Sequence, residues 1–291
     1  MKNKIYAMDF AFYNSLGLYD FEARCEMVKD IGYDGINFSI WNGLRWKECL
    51  QYAKVQEKYD LEVAGTYVVL NLDYPEDHPH NAGILTMLKN IEGCKQIDLA
   101  IQSAGRGIPK SSPIGDGPAY KFLSQALKIC KERNLELLLY PHIQFWMDNH
   151  KDAVRLCNNI NHPNLGIVMT VIHWFAESGA NAGAFLKETY PYTKKVHIAG
   201  SRRTPLGWGG IATCEPADSG ELDNFAIIGT LKNLGYQGKF GAMMWEDGGD
   251  PYIKLERAYS AIKGMIERAE KHPNWTSHII EGDFTLMDSG S

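Results

Sequence analysis

The sequence predicts an α/β protein, a single-domain (β/α)8 barrel of the TIM barrel class, and three observations predict it. Eight short apolar runs alternate with longer amphipathic segments from one end of the chain to the other. The runs are near-continuously apolar, as in parallel strands covered on both faces. The turn after the first run, AMDFAFYN, lacks the G-x-G-x-x-G that a doubly wound open sheet carries there. A length of 291 residues suits one such barrel.

In order, KIYAMDFAF is the first strand, a helix follows over residues 19–31, and GYDGINFSI is a short buried strand framed by glycines. WKECLQYAKVQEKY has near-helical apolar spacing and LEVAGTYVVLNL is the third strand. DYPEDHPHN is an exposed loop, rich in proline and histidine. After another helix come the strand CKQIDLAIQSAG, a glycine- and proline-rich loop over 105–118, the helix KFLSQALKICKERN and the strand LELLLYPHI. The second half repeats the rhythm with helix KDAVRLCNNIN, strand LGIVMTVIHWF, helix FLKETYPYT and strand KKVHIAGSRR. A polar loop over 204–221 leads to helix LDNFAIIGTLKNLGY, strand KFGAMMWED and a closing helix, YIKLERAYSAIKGMIERAEKH. The barrel is expected over 1–272, with a loose tail over 273–291.

A net charge of −5 without any Lys/Arg run argues against nucleic acid or an anionic membrane as partner. No stretch is apolar for long enough to span a bilayer. The start, MKNKIYAMDFAFYN, reaches acids and amides too soon for a signal-peptide core, which predicts a cytoplasmic protein, or a periplasmic one where a leader has been removed. The cysteines (Cys25, Cys49, Cys94, Cys130, Cys157, Cys214) form no C-x-x-C pair and read as reduced core thiols. The expected partner is a small carbohydrate, and association into a homo-oligomer stays open.

In such barrels the site lies at the C-terminal strand ends. That rule selects Asp9, Asn37, Ser39, Gln102 and Arg106 from the first half. From the second half it selects Tyr140, His142, Thr170, His173, Trp174, His197, Ser201, Arg202, Trp245, Glu246 and Asp247. Three histidines on consecutive strands, His142, His173 and His197, suit proton transfer or metal binding better than three separate structural roles. Tyr140 and His142 are two apart and share a strand face. Trp146, Trp174, Trp208 and Trp245 fall at strand ends, where they suit the C–H face of a sugar or the packing of loops on the rim. Arg106 and Arg202 are candidates for an anionic group or plain surface charges. His78 and His80 flank prolines and read as solvated.

With these residues in hand, the chain resembles the xylose isomerase-like TIM barrels, the sugar phosphate isomerase/epimerase superfamily. The resemblance covers nearly the whole chain and is carried by GYDGINF, VHIAG and SGELDNFAIIGTLKNLGYQGKFGAMMWED. It implies one divalent metal held by Glu, Asp, His and Glu from strands five to eight, polarising a sugar oxygen while neighbouring groups move protons. Residue by residue, only His197 matches. The strand-five glutamate falls on Tyr140, the strand-six aspartate on Thr170, and the strand-eight glutamate on about Met243, with Glu246 three residues later. Strand two carries Asn37 where many members have glutamate. Hard cations need oxygen ligands, so the standard manganese or magnesium site is not expected. Two readings stay open: a nitrogen-rich site of His142, His173 and His197 for one divalent metal such as zinc or manganese, or a metal-free site in which the histidines act directly.

The leading function is a sugar isomerase or epimerase that abstracts a proton next to a carbonyl. His142 and His173 would be acid and base, His197 would hold metal or substrate oxygen, and Glu246 completes the catalytic set. Substrate binding falls to Asp9, Asn37, Gln102, Arg106, Tyr140, Trp146, Trp174, Arg202 and Trp245. The alternatives are a keto-sugar lyase or dehydratase, and a non-catalytic carbohydrate-binding barrel. Cleavage of abasic DNA is not expected, because an acidic chain offers no basic groove.

Overall fold

The computed structural model describes residues 3–40, 43–103, 107–245 and 248–276. Eight parallel strands close into a barrel: β1 (Ile5–Met8), β2 (Gly35–Ser39), β3 (Glu62–Asn71), β4 (Gln96–Gln102), β5 (Glu136–Leu139), β6 (Leu165–Thr170), β7 (Thr193–Ile198) and β9 (Lys239–Ala242), with β9 pairing β1. A further strand, β8 (Arg203–Trp208), lies outside the barrel. Around the wall run α1 (Phe21–Ile31), α2 (Val55–Tyr59), α3 (Pro79–Asn90), α4 (Asp116–Arg133), α5 (His150–Ile160), α7 (Ala182–Thr189), α8 (Asn224–Asn233) and α9 (Pro251–Lys271). A short helix, α6 (Val171–Glu177), sits at the top of β6.

Strand geometry explains the two cores. Successive side chains point to opposite faces, so each strand feeds the helix layer and the barrel interior alternately. On β4, Ile97, Leu99 and Ile101 pack outward under the helices, while Ala100 packs inward. On β7, Val196 and Ile198 face outward, and Ala199, just past its end, faces inward. Asp20, Asn149, Asp223 and Asp250 start α1, α5, α8 and α9 by accepting backbone N–H groups left orphaned at a helix start.

Four segments depart from the sequence reading. LGIVMTVIHWF is not one strand, because β6 stops at Thr170 and VIHWF coils into α6. An apolar run carries no period that separates strand from helix, and six residues already span the wall. WKECLQYAK is a tighter 3-10 helix, ahead of α2. DYPEDHPHN is not all loop: His78 caps α3, which opens on Pro79, and His80 Nε2 lies 2.6 Å from the Val69 carbonyl. The 204–221 loop contains a two-stranded ribbon, with Thr204 N–H donating to Ile211 O and Thr213 N–H to Arg202 O. Gly209 and Gly210 make its turn at φ of 60° and 70°, where a side chain is strained. The ribbon folds back over the barrel and joins the chain after β9 through a Cys214–Trp245 bridge.

Residues 273–276 are docked, with buried Thr276 against Gly229 of α8. The rest of the expected tail lies outside the described residues. Among the described residues no helix is long and apolar enough to cross a membrane.

Candidate active site

The barrel interior is layered, and the lower layer is charged. Lys195 Nζ lies 2.8 Å from Asp98 Oδ1 and donates to Asn37 Oδ1 at 2.9 Å and to the Ala64 carbonyl at 3.2 Å. The two acceptors take two of the ammonium hydrogens, and Asp98 balances the charge as an ion pair. Both charged side chains are fully buried. Burial pushes the lysine down and the aspartate up, and their mutual attraction opposes both shifts. Space for the ammonium comes from Gly65, where an added Cβ would stand 2.2 Å from Nζ. His197 is next, its Nε2 4.0 Å from Asp98 Oδ2, with burial and Lys195 keeping its imidazole uncharged.

Above this layer the interior turns aromatic. Tyr140 is fully buried, with ring centroids 5.4 Å from His197, 4.8 Å from Tyr67 and 5.6 Å from His173. Its hydroxyl donates to Met243 Sδ at 3.4 Å. Burial raises the phenol well above its usual range, so it stays protonated. Over it lies a narrow cleft of about 30 Å³, lined by Phe10, His142, Ile172, His173, Trp208, Cys214, Met243 and Trp245.

His142 and His173 meet in this cleft with ring centroids 4.1 Å apart. His142 Nδ1 lies 2.8 Å from the Ile143 carbonyl, which places the proton on Nδ1 and the lone pair on Nε2. Phe145 stacks on the His142 ring at 3.9 Å. Neither nitrogen of His173 has a hydrogen-bond partner among the described residues, although the side chain is buried. Burial lowers His142 to about 4 and His173 well below its ordinary value, so both are neutral bases near pH 7. Trp245 stands edge-on to Phe10 at 5.3 Å, and Trp208 edge-on to His142 at 5.3 Å, giving the cleft aromatic walls. The cleft thus presents aromatic faces and neutral imidazoles, and in this arrangement has room for about one water, so a larger ligand enters only if its walls move apart.

The structure brings together only part of the set expected from sequence. His142, His173 and Trp245 line the cleft, with Tyr140 directly beneath. His197 is deeper, against Tyr6 and Tyr140, so the three histidines do not converge on one point. Among the described residues, no group of three His, Cys, Asp or Glu side chains could hold a metal ion. Asn37 is spent on Lys195. Half-buried Gln102 ends β4 without lining the cleft.

Asp9 turns away from the mouth. It is buried in the helix layer, where Arg24 Nη1 donates to its Oδ2 at 2.6 Å and Tyr13 at 3.1 Å, while Arg24 Nη2 reaches Glu48 at 2.7 Å. Trp146 also belongs to the outer core, donating to the Ser112 carbonyl at 2.9 Å. Trp174 stacks on Phe185 at 4.8 Å, because neighbouring helical positions diverge by about 100° and α6 turns His173 inward and Trp174 outward. Arg202 is exposed and paired with Glu215 at 2.9 Å. Arg106, Glu246 and Asp247 lie outside the described residues.

Sequence reasoning missed Lys195, Asp98, Phe10, Ile172 and Cys214. A signal existed for two of them: Asp98 is a charge inside an apolar strand, and Lys195 stands two before His197 on the same strand face.

The sequence profile of the family described as "Xylose isomerase-like TIM barrel" matches residues 25–271. The chain belongs to the xylose isomerase-like TIM barrels. A curated relative, "Putative hydroxypyruvate isomerase" of Mus musculus, is 27% identical over 157 residues, 51% of this chain and 53% of the relative. The chain thus spans about half the length of that relative. Among solved structures, L-ribulose 3-epimerase superposes with a TM-score of 0.73 at 16% identity, over 95% of this chain and 98% of that one. The IOLI protein with a bound zinc atom superposes with a TM-score of 0.71 at 14% identity, over 91% and 99%. These structures share the fold.

The family resemblance calls for a divalent cation, and the donor set here does not fit one. The positions that would hold it present a phenol, a thioether, one imidazole and a threonine whose hydroxyl donates to the Pro141 carbonyl at 3.1 Å. Thioethers and protonated phenols are poor partners for hard cations.

Proposed function

We propose that this barrel is a sugar isomerase or epimerase that moves a proton at the carbon beside a carbonyl, on a small ketose or hydroxy-keto compound. The observation that carries the reading is the His142–His173 pair. Two uncharged imidazoles lie 4.1 Å apart in an aromatic-walled cleft at the strand ends where barrel enzymes place their chemistry. Family membership and the curated relative's hydroxypyruvate isomerase description support the same class of reaction.

The sequence of events follows from the residues. Trp208 and Trp245 seat the C–H face of the substrate. One imidazole takes the proton from the carbon, and its neighbour, within reach of the same space, shares the new charge or returns the proton. The buried walls exclude water, which protects the enolate-like intermediate from side reactions.

The test is incubation in D₂O with hydroxypyruvate, L-ribulose and a panel of neutral ketoses, read by NMR. Deuterium at the carbon beside the carbonyl, lost in His142→Ala or His173→Ala, is the expected result. Binding without exchange at any carbon would identify a carbohydrate-binding barrel, and loss of water from the substrate would identify a lyase.

A further inference from the structure

The interior between the cleft and the charged layer holds the buried phenols Tyr67 and Tyr140 side by side, and the neighbours of Tyr140 single it out. The four positions corresponding to a cation site do cluster. Tyr140 reaches Met243 at 3.4 Å, its ring lies against His197, and Thr170 pairs with His197 across β6 and β7. The positions that the family resemblance gives a cation thus lie together here, with side chains of a different chemistry. Where a cation would draw electrons from a substrate oxygen, the chain offers a hydroxyl donor.

We propose that Tyr140 takes the place and the task of the cation in this barrel, its hydroxyl donating a hydrogen bond to the carbonyl oxygen of the substrate. The inference rests on the isomerase reading above and names the electrophile of that reaction. The hydroxyl is parked on a weak acceptor, since sulfur gains little from an O–H donor compared with a carbonyl oxygen. Met243 lines the cleft and has the flexible side chain of a methionine, so its movement opens the hydroxyl to a bound ligand. As the imidazole removes the proton from carbon, the electron pair of the C–H bond forms the C=C bond and the carbonyl π pair moves onto oxygen. There Tyr140 stabilises the growing negative charge by a hydrogen bond that strengthens in the transition state. Reprotonation of the same carbon from its opposite face gives an epimer; reprotonation of the former carbonyl carbon, with the hydroxyl proton of the first carbon passing to the enolate oxygen as the new C=O forms, gives an isomer. No co-reactant is needed.

Two measurements decide the inference. The purified protein, dialysed against MnCl₂ or ZnCl₂ and then freed of excess salt, is analysed for metal, with calorimetric titration of each ion alongside. No stoichiometric cation and no effect of EDTA on thermal unfolding are expected, whereas one retained equivalent that is lost in His197→Ala overturns the inference. In the D₂O exchange assay, Tyr140→Phe keeps the ring and its packing. Its exchange rate is expected to fall by about 10²–10³, the usual cost of removing one oxyanion donor, with KM changed far less. Added Mn²⁺ is expected not to restore it. Wild-type exchange in Tyr140→Phe overturns the role of the hydroxyl. An absence of exchange in the wild type itself would instead remove the isomerase reading, and the metal analysis would still decide whether a cation is held.

Discussion

Lys195 and His173 are both buried inside the same barrel, yet their surroundings are opposite. Lys195 Nζ donates to Asn37 Oδ1 and the Ala64 carbonyl, and the carboxylate of Asp98 balances its charge. His173 has no hydrogen-bond partner for either nitrogen among the described residues and is held only by aromatic neighbours such as Tyr140 and Trp208. A satisfied polar group rigidifies the interior and has nothing left to offer a ligand. An unsatisfied one costs stability and is available for binding or proton transfer. The contrast leaves the Lys195 ammonium to the fold and His173 free to meet a ligand, although Asp98 and His197 below also keep buried atoms without hydrogen-bond partners among the described residues.

The strongest way to break that division is Lys195→Met, which leaves Asp98 buried without its partner. A loss of about 3–5 kcal/mol in urea-induced unfolding is expected. The double change Asp98→Leu/Lys195→Met should recover most of it, because the cost comes from the stranded charge and not from the missing pair. Gly65→Ala attacks the same layer through space. Its Cβ would press on Lys195 Nζ at 2.2 Å and on Asn37 Oδ1 at 2.4 Å, and about 1–3 kcal/mol should be lost on denaturation.

Protonation sharpens the comparison from the histidine side. Burial holds His142 at about 4 and His150 at about 3, while the unfolded chain titrates at the ordinary 6.5. As pH falls below 6.5 the unfolded state takes up protons that the folded state refuses, so stability is retained above that value and declines toward the folded pKa values. The expected slope is about 1.4 kcal/mol per pH unit for each such histidine. Urea titrations between pH 7 and 5 check it, and His150→Gln should make the decline shallower. The smallest effect belongs to Arg202→Ala: its exposed pairing with Glu215 should leave both the unfolding midpoint and ligand affinity unchanged, as read by thermal denaturation and calorimetry.

The division into layers also explains what could be read from the sequence. The barrel was legible because apolar strands and amphipathic helices repeat eightfold, and each repeat needs only local patterning. The meeting of His142 and His173 at the barrel mouth was legible through the rule that strand ends face one end of the barrel. Asp9 satisfies the same rule and was misplaced, because the 3-10 turn after β1 swings its carboxylate outward to Arg24, a contact between residues fifteen positions apart. Trp174 misled because a strand assignment gave the wrong period: in a helix, it and His173 part company. Lys195, Asp98 and Asn37 come from three strands, so no window of sequence displays their meeting. Trp208 and Cys214 reach the cleft only because a glycine turn folds the ribbon back.

The division between a load of charge below and reactive imidazoles above is tested most directly by the rate of deuterium uptake per folded molecule, beside the carbonyl of an accepted ketose, in wild type and in His173→Ala. The account predicts that His173→Ala abolishes exchange while its urea-unfolding midpoint stays at or above that of wild type, since an unsatisfied buried imidazole has been removed. Undiminished exchange in a folded His173→Ala protein would contradict it.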